Sequence, residues 1–127
     1  MEPNEITEKI IGCAYRVSNV LGTGFLEKVY ENALAHELRK TGLSVRQQYP
    51  IPVYYDSVLV GDYFADLLVE NCILVELKVV KALDEIHMAQ CINYLKATGL
   101  ELCLLINFYY QKVQIKRLTT RPLAAQN

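Results

Sequence analysis

The stretch Ala65-Asp66-Leu67-Leu68-Val69-Glu70-Asn71-Cys72-Ile73-Leu74-Val75-Glu76-Leu77-Lys78 decides how this chain folds. Two apolar runs flank the polar pair Glu70-Asn71, which reads as two strands joined by a tight turn. Strand side chains alternate between faces, so Glu76 and Lys78 point one way and Val75, Leu77 and Val79 the other. The same rule puts Asp62, Phe64, Asp66 and Leu68 on one face of the preceding strand. Asp66 stands across from Glu76 only if the hairpin pairs 66 with 76, leaving the odd loop Glu70-Asn71-Cys72. A two-residue turn would aim the two acids apart.

The flanks Ile73-Leu74-Val75 and Val79-Val80 argue for a buried strand, where two ionisable groups need a reason. Carboxylates a few ångströms apart disfavour joint ionisation unless a cation compensates. Lys78 offsets part of that cost, and a divalent ion would offset the rest. Magnesium or manganese suits such a site, since magnesium prefers hard oxygen ligands and keeps several waters beside one or two carboxylates. The ion would polarise a phosphodiester and activate water, while Lys78 positions that water or neutralises charge growing on the phosphoryl oxygens. These elements serve hydrolysis of DNA or RNA.

Outward from this hairpin the periodicity alternates between helix and strand. Asn4 can cap a first helix with the stripe Ile6, Ile10, Cys13, Val17 and Val20, ended by Gly22. A second helix spans about Leu26 to Lys40, with Leu26, Val29, Tyr30, Ala33, Leu34 and Leu38 inward and Gly42 as its stop. Strands follow over Val45–Tyr55, Val58–Val69 and Ile73–Val80, the first two joined by a turn at Asp56-Ser57. Pro50 and Pro52 lack amide donors, which makes the first strand an edge or bends it. Asp84 caps a third helix, roughly Glu85 to Ala97, closed by Gly99. An apolar strand over Leu100–Phe108 and an alternating one over Lys112–Lys116 complete the order ααβββαββ, with a polar tail from Thr119. The expected class is α/β (α+β), a mixed central sheet of about five strands flanked by helices.

With 127 residues, 52% of them hydrophobic, the chain fits a single domain over 1–127. The longest apolar runs fall short of a bilayer span and the first residues lack a basic start, so a soluble, cytoplasmic protein with no membrane partner is expected. Cys13, Cys72, Cys91 and Cys103 stand far apart inside apolar runs and read as reduced core residues. A net charge of −1 does not favour a nucleic-acid partner, so phosphate binding must come from local clustering. Arg46, Lys78, Lys81, Lys96, Lys112, Lys116, Arg117 and Arg121 are the cations that could gather, and a homodimer would enlarge their track.

Asp66, Glu76-Leu77-Lys78 and Gln90-x-x-x-Tyr94 together resemble the PD-(D/E)XK nuclease superfamily, in the branch that carries a Gln-x-x-x-Tyr motif. Gly24-Phe25-Leu26-Glu27-Lys28-Val29-Tyr30 further resembles the signature of the GxxExxY proteins within it. The resemblance runs through Gln47, Val60-Gly61, Asn93-Tyr94-Leu95-Lys96 and Leu105-Ile106-Asn107-Phe108, nearly the whole chain. It implies a restriction-endonuclease-like core and a Mg2+-dependent nuclease, with DNA a more natural substrate than RNA. It further implies Asp66 and Glu76 as metal ligands, Lys78 as the catalytic lysine, and Glu27 as an acid reaching the metal through water. Gln90 and Tyr94, one helical turn apart, would face the same pocket and hold the substrate phosphate or orient Lys78. Ala65 replaces the proline of the superfamily's name, and Cys103 and Tyr109 replace glycines usual around the Leu-Leu-Ile-Asn-Phe stretch.

Plainer readings stand beside these. Glu27 near a helix start is favoured by the helix dipole alone, Glu76 and Lys78 could be a solvated strand face, and Tyr94 could be core with its hydroxyl outward. His87, one turn before Gln90, reads better as a surface or supporting residue than as a pocket wall. A non-catalytic nucleic-acid-binding or assembly domain on the same fold is the alternative function, since fold alone does not settle activity.

Overall fold

A computed structural model describes residues 1–120. Helices α1 (Pro3–Leu21) and α2 (Glu27–Lys40) lead into strands β1 (Val45–Tyr55), β2 (Val58–Val69) and β3 (Ile73–Lys78), then helix α3 (Glu85–Thr98) and strands β4 (Leu102–Asn107) and β5 (Gln114–Thr119). The order is the ααβββαββ read from periodicity, and the architecture is α+β. The five strands form one sheet in the order β1-β2-β3-β4-β5. All neighbours are antiparallel except β3 and β4, which run parallel because α3 carries the chain back across the sheet.

β3 lies at the centre and is buried on both faces. Ile73, Val75 and Leu77 pack with Ile6, Ile10, Tyr30 and Leu34 of the first two helices, whereas Leu74 packs with Cys91 and Leu95 of α3. β1 is an edge strand, the position that tolerates residues without amide donors such as Pro50 and Pro52. The Asp56-Ser57 turn has φ of 50° and 65°, the left-handed pair that matches a two-residue hairpin to strand twist.

Several boundaries differ from expectation. α1 starts at Pro3 rather than after Asn4, because proline is pre-organised for the first helical position and Glu2 caps it, its amide donating to Glu5 Oε1 at 3.4 Å. The Asn4 carboxamide instead accepts from Arg117 Nη2 at 2.8 Å. Val20, Leu26 and Val29 were expected inward but lie exposed, while Ala14 and Ala35 take core positions. β3 ends at Lys78, because Asn107 seizes the next turn of chain: its Nδ2 donates to Val80 O at 2.7 Å and its Oδ1 accepts from Val80 N at 3.1 Å. β5 begins at Gln114 rather than Lys112, since Gln111 is tied to the end of α1 through Ser18, at 2.7 and 3.2 Å. The expected tail is described only as far as Thr120; Arg121 lies outside the described residues. The four cysteines are free, and among the described residues no helix is long and apolar enough to cross a membrane.

Candidate active site

The site begins where two strands part. β2 and β3 pair at Val69↔Ile73, Leu68↔Leu74 and Leu67↔Val75, leaving Glu70-Asn71-Cys72 as the connecting loop. The next pair along that register is Asp66 with Glu76. There the carboxylates take the place of the ladder. The Asp66 amide donates to Glu76 Oε1 at 3.0 Å, and the Leu77 amide donates to Asp66 Oδ2 at 2.8 Å. Each acid thus satisfies a backbone donor that the parting strands release.

β1 and β2 both change faces here. Val45 on β1 and Leu67 on β2 pack with the first two helices, whereas Ile51 and Ala65 pack with the α3 side. Gln48, directly opposite Asp66, has φ of 53°, and this left-handed residue breaks the alternation. Phe64 and Leu68 therefore do not share a face as the simple alternation implied: Leu68 is buried and Phe64 is exposed.

Electrostatics mark the site as one where two buried carboxyl groups disfavour each other's ionisation. Glu76 is 4% exposed, and burial, then the neighbouring Asp66, push its carboxyl up to about 9. Burial raises Asp66 as well, against the lowering effect of the Leu77 amide, with Glu31 adding to the rise. Lys78 acts in the opposite direction on both acids. Its ammonium donates to Gln90 Oε1 at 3.4 Å, and Gln90 Nε2 donates to the Tyr94 hydroxyl at 3.0 Å. Burial, followed by Glu76 and Asp66, pushes the Tyr94 hydroxyl up to about 12, so it keeps its proton. α3 is anchored for this task by Asp84, which accepts from the amides of Ile86 and His87 at 3.0 and 3.4 Å. His87 closes the cap, its Nδ1 accepting from the Asp84 amide at 3.2 Å.

Five of the six expected residues, Asp66, Glu76, Lys78, Gln90 and Tyr94, are thus linked around one cleft. The sixth, Glu27, lies exposed in the first turn of α2. Within the Gly24–Tyr30 stretch, Tyr30 is the residue that packs into the core. The Tyr30 hydroxyl donates to Gly22 O at 2.7 Å and its ring stacks on Phe108 at 4.7 Å between centroids.

One turn beyond Glu27, Glu31 is the acid that α2 brings toward the cleft. It is 3% exposed and accepts from Gln47 Nε2 at 2.7 Å, Gln48 Nε2 at 2.8 Å and Lys28 Nζ at 3.2 Å. Gln48 Nε2 also reaches Asp66 Oδ1 at 3.3 Å, linking the two acids. Glu31 was missed in the sequence, although it stands in line with Ala35 and Leu38, a carboxylate on the inward stripe of a helix.

A family model of the PD-(D/E)XK nuclease superfamily matches residues 4–118. The chain belongs to that superfamily. No curated protein and no solved structure matches it. Membership implies a nuclease that binds nucleic acid and generally uses a divalent metal. No group of three or more His, Cys, Asp or Glu that could hold a metal exists among the described residues. Asp66 and Glu76 do fit a hard cation that keeps much of its water: two carboxyl groups whose joint ionisation a cation would compensate, with one oxygen of each already pinned by an amide.

Of the cations expected to gather, two are engaged elsewhere. Arg117 binds Asn4 and Thr7 at 2.8 and 3.2 Å, and Arg46 lies over the Tyr49 ring, 4.7 Å from its centroid.

Proposed function

We propose that this protein is a magnesium- or manganese-dependent nuclease, with DNA its more natural substrate, that hydrolyses phosphodiester bonds at the cleft between β2 and β3. The observation that carries this reading is the pair of acids that close the parted ladder, beside a lysine held by Gln90. Asp66 and Glu76 would hold the metal, which when bound polarises the phosphodiester and lowers the pKa of water. Water adds to phosphorus and gives up a proton, the bond to the leaving oxygen breaks, and that oxygen takes up a proton in its place. Lys78 neutralises charge that grows on the phosphoryl oxygens, an interaction stronger in the transition state than in the bound substrate. Gln90 and Tyr94 orient the ammonium and offer hydrogen bonds to the phosphate. Glu31 joins Glu27 as a candidate for the acid that reaches the metal through water, and its burial beside Asp66 favours it. Placement among the GxxExxY proteins rests on the resemblance of Gly24–Tyr30.

The test is cleavage of labelled single- and double-stranded DNA and RNA with magnesium or manganese. Lys78→Ala should lower the rate by about a hundredfold or more with the melting temperature maintained. Equal cleavage by both proteins would assign the activity to a contaminant.

A further inference from the structure

The β1–β2 hairpin leaves β3 at Asp66 and leans over α3, and a groove of about 710 Å3 lies between them. That volume is in the range of small-ligand sites. Its inner end is the candidate active site itself, because Gln90 and Tyr94 line both. Tyr63 and Val53 form the hairpin wall, and Tyr63 is half exposed with its ring centroid 5.8 Å from that of Tyr94. Ile86 forms the opposite rim and leaves 77% of its surface in water, an unusual exposure for an isoleucine. Asn93 adds a carboxamide that can both donate and accept. Among the described residues no carboxylate lines the groove: Lys96 is part of its wall, and Lys78 touches Gln90 at the inner end.

We propose that this groove seats an unpaired base of single-stranded nucleic acid, adjacent to the phosphate that Lys78 engages. The inference rests on the nuclease reading and names its substrate class. A phosphodiester strand lying between Lys78 and Lys96 meets a cation at each end and aromatic and apolar surface between them. Stacking on tyrosine supplies affinity without sequence preference, since every base has a π-face. A base within a duplex cannot enter, because its faces are covered by neighbours and its edge by its partner. The chain is also poorly equipped for duplex binding by charge alone: its net charge is −1 and Arg39, Arg46 and Arg117 are engaged within the fold.

The experiment is fluorescence anisotropy on the whole protein with short labelled single strands of DNA and RNA, the matching duplex, and an abasic strand of equal length. Calcium replaces magnesium, and the integrity of each strand is checked on a gel. The single strands should bind more tightly than the duplex and the abasic strand. Tyr63→Ala should weaken single-strand binding about tenfold or more, while Tyr63→Phe, which keeps the ring, should stay near wild type. Ile86→Glu, at an exposed rim where folding is not at stake, should weaken binding comparably by placing an anion in the path. Equal binding of duplex and single strand, equal binding of the abasic strand, or indifference to both Tyr63→Ala and Ile86→Glu would overturn the proposal. Failure to cleave under magnesium would remove the nuclease reading without moving these ratios, so the two can fail separately.

Discussion

The two ends of β2 behave as if they belonged to different proteins. From Leu67 to Val69 the strand is hydrogen-bonded on both edges and buried, whereas from Val58 to Phe64 it pairs with β1 alone and carries exposed valine, leucine, tyrosine and phenylalanine. Asp66 sits at the junction. The difference shows how a sheet can bury carboxylates: splitting the ladder frees amides, and the acids satisfy them. Asp66 and Glu76 are therefore struts as well as candidate site residues, while among the described residues the Lys78 ammonium bonds the Gln90 side chain and no backbone group.

Leu67→Ala tests the closed end most severely. Leu67 is fully buried in the core beneath α1 and α2, so its truncation should cost about 2–5 kcal/mol, a large share of the roughly 5–15 kcal/mol of a typical domain. Leu59→Ala, on the open ribbon and 53% exposed, should stay within about 0.5 kcal/mol. Chemical denaturation of both variants measures the contrast. Similar losses would mean that the open half is as much part of the cooperative core as the closed half.

A second contrast lies along α2. Glu31→Ala removes the buried carboxylate that accepts from Gln47 and Gln48, which keep Asn32 and Asp66 as acceptors, and should cost about 1–3 kcal/mol for the lost charge-assisted bonds. Glu27→Ala, in the exposed first turn, should cost about 0.5 kcal/mol or less. If the ranking of the two is reversed in thermal melts, Glu31 does not hold the hairpin to α2.

Glu76→Gln separates strut from site through pH. The folded carboxyl titrates near 9 against 4.5 for an ordinary glutamate, so the folded state binds the extra proton between those values. Stability from this group is complete below about 4.5 and falls as pH rises through 9, which is the direction for an acid whose folded pKa is raised. Without metal, Glu76→Gln should melt above wild type at pH 8, with the gap closing toward pH 4.5, because the amide oxygen can still accept from Asp66. Magnesium should raise the wild type at pH 8 and leave the variant unmoved, since a cation bound by the folded state stabilises it. A wild type indifferent to pH and magnesium would remove the uncompensated pair from the account.

What the sequence allowed one to read follows the same division. The closed end was legible because its runs obey one rule: Ile73-Leu74-Val75 is apolar throughout, and the odd loop Glu70-Asn71-Cys72 set the register that brings Asp66 beside Glu76. The capped helix α3 was legible from Asp84 and Gly99, which placed Gln90 and Tyr94 on one wall. Glu31 was not, because a carboxylate inside a charged helix takes its meaning from the two glutamines of a distant strand. The change of faces at Gln48 was equally hidden, since nothing about a glutamine announces a left-handed backbone. The inward places given to Val20, Leu26 and Val29 fail because they extend helical stripes past the ends of the surface that covers them.

The smallest effect compares the turns that bound the two ends. Both use two consecutive left-handed residues, Asp56-Ser57 at the open end with φ of 50° and 65°, and Glu70-Asn71 at the closed end with φ of 52° and 57°. Asparagine tolerates that conformation better than most residues and serine gains no such allowance, so glycine should relieve more strain at Ser57 than at Asn71. The added freedom of glycine in the unfolded chain offsets part of the relief. Ser57→Gly should therefore raise stability by about 0.5 kcal/mol, and Asn71→Gly should leave it level or lower it slightly. If Ser57→Gly instead slows amide exchange within the hairpin while the global melt stays fixed, the open end opens on its own before the domain unfolds. That result would sharpen the division, because a ribbon that opens alone is one that can part from α3 to admit a strand into the groove beneath it.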